Sequence, residues 1–96
     1  MNFEFHIEAR TEFIDAVAYY ESYREGLGLR FSREVYFTIN RITRNPNAWP
    51  SHSENTRRCL TRGFPYGVIY EVRKGNILII AVTHLSRKPS YWIDRK

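Results

Sequence analysis

Apolar and polar positions change rhythm several times along this chain, and each change marks an element. Phe3, Phe5 and Ile7 alternate with Glu4, His6 and Glu8, the period of two expected of a strand that buries one face. From Ala9 to about Glu25 the spacing lengthens. Phe13, Ala16, Val17, Tyr20 and Tyr23 recur three and four apart, with Glu12, Asp15, Glu21 and Arg24 between them, which predicts an amphipathic helix. Thr11 or a neighbour would cap its start, and Gly26 and Gly28 would end it, since glycine accepts the left-handed conformation beyond a last turn. A second stripe of Phe31, Val35, Thr38, Ile39 and Ile42 predicts a helix from about Leu29 to Arg44, stopped by Asn45-Pro46. The short Gly26-Leu27-Gly28 link makes the two helices antiparallel neighbours with their apolar stripes turned to a shared sheet.

The stretch from Asn47 to Thr56 is polar, with Pro46 just before it and Pro50 within it as breaking signals, so it reads as a loop with Trp49 tucked toward the core. Three strands follow, at about Arg57 to Thr61, Tyr66 to Arg73 and Asn76 to Thr83, with Lys74-Gly75 as the tight turn joining the last two. Tyr91, Trp92 and Ile93 give the closing segment, Pro89 to Lys96, enough apolar surface to fold back on the body. Among the helical tyrosines Tyr19, Tyr20, Tyr23 and Tyr36, most are expected in the core. Any that points outward beside Arg24, Arg30 or Arg33 would suit a protein partner. The order of elements is β-α-α-β-β-β, an α+β class.

Ninety-six residues, 43% of them hydrophobic, leave room for one core and no second domain. An aromatic share of 16% lets so short a chain build that core without a metal or a disulfide, and the single Cys59 has no partner for an internal bridge. No apolar run approaches the roughly 20 residues that span a bilayer, and no signal segment follows Met1, so the expected location is cytoplasmic, without a membrane partner. A formal charge of +5 favours nucleic acid or an acidic protein as partner.

Candidate chemistry gathers late in the chain. His84 lies two residues past the apolar strand end at Val82 and could serve as a general acid or base; the plainer alternative is an imidazole bonded to backbone where the strand finishes. Arg58 and Arg62 flank the second strand, and Arg87 and Lys88 follow the last. Their guanidinium groups match phosphate oxygens, yet cations also protect strand edges from unwanted pairing. Tyr91 could stack on a base, join proton transfer if nearby cations lowered its pKa, or simply pack, as Trp92 is expected to do. Ser86 and Cys59 lack the surroundings of a nucleophile, and no metal-ligand spacing or cofactor motif occurs.

The Gly26-Leu27-Gly28 break, Asn45-Pro46, Arg58, Phe64-Pro65-Tyr66, His84, Arg87-Lys88-Pro89 and Tyr91-Trp92, in this order of elements, resemble the RelE/ParE superfamily of bacterial toxins over nearly the whole chain. The resemblance implies a helical hairpin on a mainly antiparallel four-stranded sheet, and a plasmid-stabilisation toxin neutralised by a cognate antitoxin. It implies one of two targets. ParE-like members poison DNA gyrase, whereas RelE-like members are mRNA interferases that cut messenger RNA on the ribosome without a metal. On the RelE side Arg58, Arg62 and Arg87 would meet phosphate, with Tyr91 or His84 in proton transfer. Three cations usual in that branch are replaced here by Leu60, Gly67 and Leu85, which tilts the resemblance toward ParE-like action. A basic RNA-binding module that keeps the fold without toxicity is the third reading.

Overall fold

The computed structural model describes residues 1–53 and 55–95. Strand β1 (Asn2–Phe5) leads into helices α1 (Ile7–Tyr23) and α2 (Leu27–Arg44), and strands β2 (Ser51–Ser53), β3 (Thr56–Leu60), β4 (Tyr66–Arg73) and β5 (Asn76–His84) follow. The five strands form one sheet in the order β1-β5-β4-β3-β2, with β1 parallel to β5 and every other pair antiparallel.

The periodic reading places most elements within two residues, and the differences have local causes. Ile7 already belongs to α1 and is 75% exposed, so the alternation of β1 stops at Phe5. His6, not Thr11, caps the helix: its Nδ1 accepts the Glu8 amide at 3.1 Å. The two glycines between the helices do different work. Gly26 takes the left-handed φ of 84° and caps α2, while Gly28 lies inside the helix, where an added Cβ would meet the Val17 carbonyl oxygen at 2.6 Å. Ser51–Ser53, expected as loop, adds a fifth strand on the far edge of β3. Three alternating residues between Pro50 and the undescribed Glu54 carry too little pattern to be read as a strand.

Two apolar layers sandwich the sheet. On the helix side Phe13, Phe31, Val35, Ile39 and Ile42 pack on Cys59, Val68, Tyr70, Ile77, Ile79 and Val82. On the other side Ile69, Leu78, Ile80 and Ala81 lie under Trp92, which is buried as expected. Alternation lets the continuous apolar run Ile77 to Val82 serve both layers, and a bulge explains why the adjacent Ile80 and Ala81 face the same one. Ile69 pairs with Ala81 and Tyr70 with Ile79, so Ile80 is the extra residue, and the strand resumes its alternation one step out of phase.

Tyr70 is fully buried and donates its hydroxyl proton to the Pro46 carbonyl at 2.6 Å, tying the segment after α2 to the sheet. Trp49 rests against the helix-side core, and its carbonyl accepts from the Arg57 guanidinium. The helical tyrosines depart from expectation. Only Tyr20 is half-buried; Tyr19, Tyr23 and Tyr36 are 63%, 78% and 48% exposed, because α1 and α2 turn just one stripe each inward.

Candidate functional site

The five candidates, Arg58, Arg62, His84, Arg87 and Tyr91, fall in three places. Arg87 and Tyr91 belong to a cluster built around Glu12 at the edge of β5. Strand β1 pairs only with Asn76 to Ile79, so the upper half of β5 has no strand neighbour on that side, and its backbone groups need partners. Side chains supply them. Glu12 Oε1 accepts the Val82 amide at 3.1 Å, and the Ile80 carbonyl accepts Arg95 Nη1 at 3.0 Å. The same carboxylate takes Arg95 Nη1 and Nη2 at 2.8 and 3.0 Å, Arg87 Nη1 at 3.3 Å, and the Tyr91 hydroxyl. Arg95 also reaches Glu8 at 3.1 Å.

Glu12 thus stands in for a missing strand residue while answering two arginines and a phenol. Arg87 lies over the Tyr91 ring, 3.8 Å from its centroid. Burial, and then the hydrogen bond to Glu12, push the Tyr91 hydroxyl above its usual pKa; this is the reverse of the lowering that proton transfer by a phenolate would need.

His84 ends β5 beside a different surface. Its Nδ1 accepts the Ser86 amide at 3.0 Å, the plainer of its two expected roles, and its ring meets Tyr66 edge-on at 5.2 Å. A cleft of about 480 Å³ opens here, lined by Tyr19, Tyr20, Tyr23, Leu27, Tyr66 and His84. It is a largely aromatic surface, continuous with the exposed tyrosines of α1.

Arg58 and Arg62 line a second concavity, of about 470 Å³, with Arg41, Trp49, His52 and Leu60. It exists because β2 pairs only with Thr56 and Arg57 and leaves the rest of the β3 edge open. Arg41 reaches across from α2 to the Leu60 carbonyl at 3.3 Å. Burial, and then the Arg58 cation, hold His52 below the usual imidazole pKa. Burial raises the pKa of Cys59, so its thiol stays protonated. Among the described residues no group of His, Cys, Asp and Glu could hold a metal ion, and no helix is long and apolar enough to cross a membrane.

Glu12, Arg95, Arg41 and His52 were not among the sequence candidates. Glu12 did carry a signal: it lies three residues after Ala9 and beside Phe13, on the stripe that faces the sheet, where a carboxylate needs a partner. Arg95 and Arg41 gave none, since their roles depend on edges that only the folded sheet exposes.

The model of the family described as "ParE toxin of type II toxin-antitoxin system, parDE" matches residues 3–89. The chain belongs to the ParE toxin family. A solved structure described as the chromosomal ParDE toxin-antitoxin system from P. aeruginosa superposes with a TM-score of 0.74 at 15% identity, over 90% of this chain and 97% of that one. At that identity the likeness shows the RelE/ParE-like fold alone. No curated protein matches the chain. Within the ParE family assignment, the open β3 cleft, the aromatic cleft at His84 and the Glu12 cluster are the three surfaces on which function must be sought.

Proposed function

We propose that this ParE-family toxin arrests growth by binding a protein target, DNA gyrase, and that a ParD-like antitoxin covers and silences it. The observation that carries this reading is the convergence of five hydrogen bonds on Glu12. A metal-independent ribonuclease needs an acid or base free to exchange its proton, and cations free to meet charge developing on phosphate. Tyr91 gives its hydroxyl to a carboxylate and Arg87 is paired with the same group. Those groups are occupied with one another.

A binding toxin needs exposed anchors instead, and the helical hairpin offers them in Tyr19, Tyr23, Tyr36 and Phe37. The formal charge of +5 calls for carboxylates alongside apolar side chains in the antitoxin that covers it. The test is a pair of assays on the purified full chain, gyrase supercoiling in one and ribosome-dependent messenger cleavage in the other. Loss of supercoiling without cleavage is expected, and Tyr91→Phe should retain the inhibition. Cleavage that Tyr91→Phe or His84→Ala abolishes would replace this reading with the ribonuclease one.

A further inference from the structure

The two outer strands of the sheet differ in how they are guarded against further pairing. Among the described residues one edge of β1 and one edge of β2 have no strand neighbour, and backbone groups directed to such an edge are a template for another strand. β2 is protected. It has only three residues, Pro50 precedes it, and its pairing with β3 shifts register between Ser51 and Ser53. β1 has none of these devices. Asn2–Phe5 pairs in unbroken register with Asn76 to Ile79, holds no proline, lysine or arginine, and leaves Asn2, Phe3 and Glu4 exposed. His6 donates its amide to the Ile79 carbonyl at 2.9 Å; counting back by twos, Glu4 and Asn2 also direct their backbone groups to β5, so Phe3 and Phe5 direct theirs outward.

Beside this edge lies a concavity of about 510 Å³, walled by Met1 and Phe3 from the strand and by Tyr36, Ile39 and Asn40 from α2. The Phe3 ring meets Phe5 at 5.9 Å, Phe5 stacks on Phe13 at 5.7 Å, and Phe13 meets Tyr36 at 5.6 Å, an aromatic run that passes from the core to solvent. Met1, Phe3 and Tyr36 are 54%, 37% and 48% exposed where it ends.

We infer that β1 pairs with β1 of a second copy of this chain, antiparallel about a two-fold axis at Phe3. The strand is complementary to itself in that register. Phe3 exchanges both backbone hydrogen bonds with Phe3 of the second copy, the two rings lie side by side next to the concavity, and on the opposite face each Asn2 amide meets the other copy's Glu4 carboxylate. Glu4 already accepts the Asn76 side-chain amide at 3.0 Å, which leaves oxygen lone pairs for a second donor. The alternative that sets Phe3 opposite Phe5 would bring Glu4 against Glu4 and is disfavoured by like charge. Arg58 and Arg62 stand at the far side of the sheet, away from the seam. Because β2 is guarded, association closes at two copies and does not run on into a fibre. The axis is perpendicular to the joined sheet, so both helical hairpins face the same way and present their exposed tyrosines as a symmetric pair.

The experiment is sedimentation velocity of the full chain from about 1 to 300 µM. A seam of four residues on each side falls below the roughly 1,200 Å² of a standard interface, so a reversible dimer with a Kd of about 1–100 µM is expected. Phe3→Lys and Phe3→Glu should each sediment as monomers, since each sets like charges across the axis, and an equimolar mixture of the two should regain the dimer. Leu85→Lys, at an exposed apolar position past the far end of β5, should dimerise as the parent does, with circular dichroism verifying each fold. A parent chain that stays monomeric across this range overturns the inference, as does a dimer that Phe3→Lys leaves intact. Monomers in the mixture of the two Phe3 variants would remove Phe3 from the axis and this register with it. A monomeric parent whose Phe3 and Phe5 amides gain protection from hydrogen exchange only in complex with its antitoxin would give the edge to an antitoxin segment instead.

Discussion

At the edge of β5 every arginine that folds back is answered by Glu12, whereas at the edge of β3 Arg58 and Arg62 line an open cleft without a carboxylate among the described residues. Both edges arise in the same way, because a short strand, β1 or β2, covers only part of its neighbour. The difference lies in what the next element supplies. Helix α1 follows β1 directly and sets Glu12 over the uncovered amide of Val82, so the C-terminal cations find a partner and turn structural. Helix α2 sets Arg41 over the uncovered β3 edge, and a cation there repels the cations of β3 instead of pairing with them. One charge sign on a packed helix thus decides which edge is sealed and which stays available to a ligand.

The largest effect should come from unsealing the first edge. Glu12 and Arg95 have side chains only 13% and 11% exposed, so Glu12→Ala leaves a guanidinium and a strand amide desolvated without their acceptor. Removal of one partner of such a pair costs about 3–5 kcal/mol. Urea unfolding should show that loss, and a loss below about 1 kcal/mol would mean that the cluster is peripheral to the fold.

The wall of the open cleft can be loosened by pH. Burial raises the Tyr70 hydroxyl to about 12, from the ordinary 10, and its bond to Pro46 holds the segment that carries Trp49. A group whose folded pKa is raised contributes stability that is intact below pH 10 and is lost as pH climbs toward 12, here at most roughly 2–3 kcal/mol. Burial shifts Tyr20, Tyr66 and Tyr91 in the same direction. The part due to Tyr70 is isolated by comparison with Tyr70→Phe: the advantage of the parent chain over this variant should shrink between pH 10 and 12, and a constant difference across that window would contradict the assignment.

How much of this contrast can be read without coordinates depends on the range of the interactions. The α2 stripe, Phe31, Val35, Thr38, Ile39 and Ile42, is buried throughout, and β4 begins and ends where alternation and turn residues place it. These are local patterns. The candidate site is only half legible: Arg58 on β3 and Arg62 two residues past its end are close in sequence and line one cleft, and His84 ends β5, while Arg87 and Tyr91 depend on where a segment without periodicity folds back. Tyr91 meets Glu12 across 79 positions, a separation that no window along the chain can detect. The exposed tyrosines mislead for another reason: an aromatic residue on the solvent side of a helix looks like core until the width of the buried stripe is known.

A smaller change separates the members of the Glu12 cluster. Tyr91→Phe deletes one of five donors and leaves the carboxylate with both arginines and the Val82 amide, so it should cost only about 1–2 kcal/mol. A loss equal to that of Glu12→Ala would make the phenol, and not the Arg95 pair, the centre of the seal.

The smallest expected effect sharpens the comparison most. If the cations of β3 are reserved for a ligand, their removal should leave folding untouched, because neither guanidinium has a carboxylate partner within 4 Å among the described residues. Arg58→Gln/Arg62→Gln should therefore stay within about 0.5 kcal/mol of the parent, as surface substitutions away from specific contacts do, and the relief of repulsion with Arg41 favours a slight gain. Arg95→Gln, the same chemical change at the sealed edge, should destabilise by several-fold more, since it abandons Glu12, Glu8 and the Ile80 carbonyl together. Equal losses at both edges, measured by urea unfolding under identical conditions, would show that the β3 arginines are structural and that the two edges do not differ in kind.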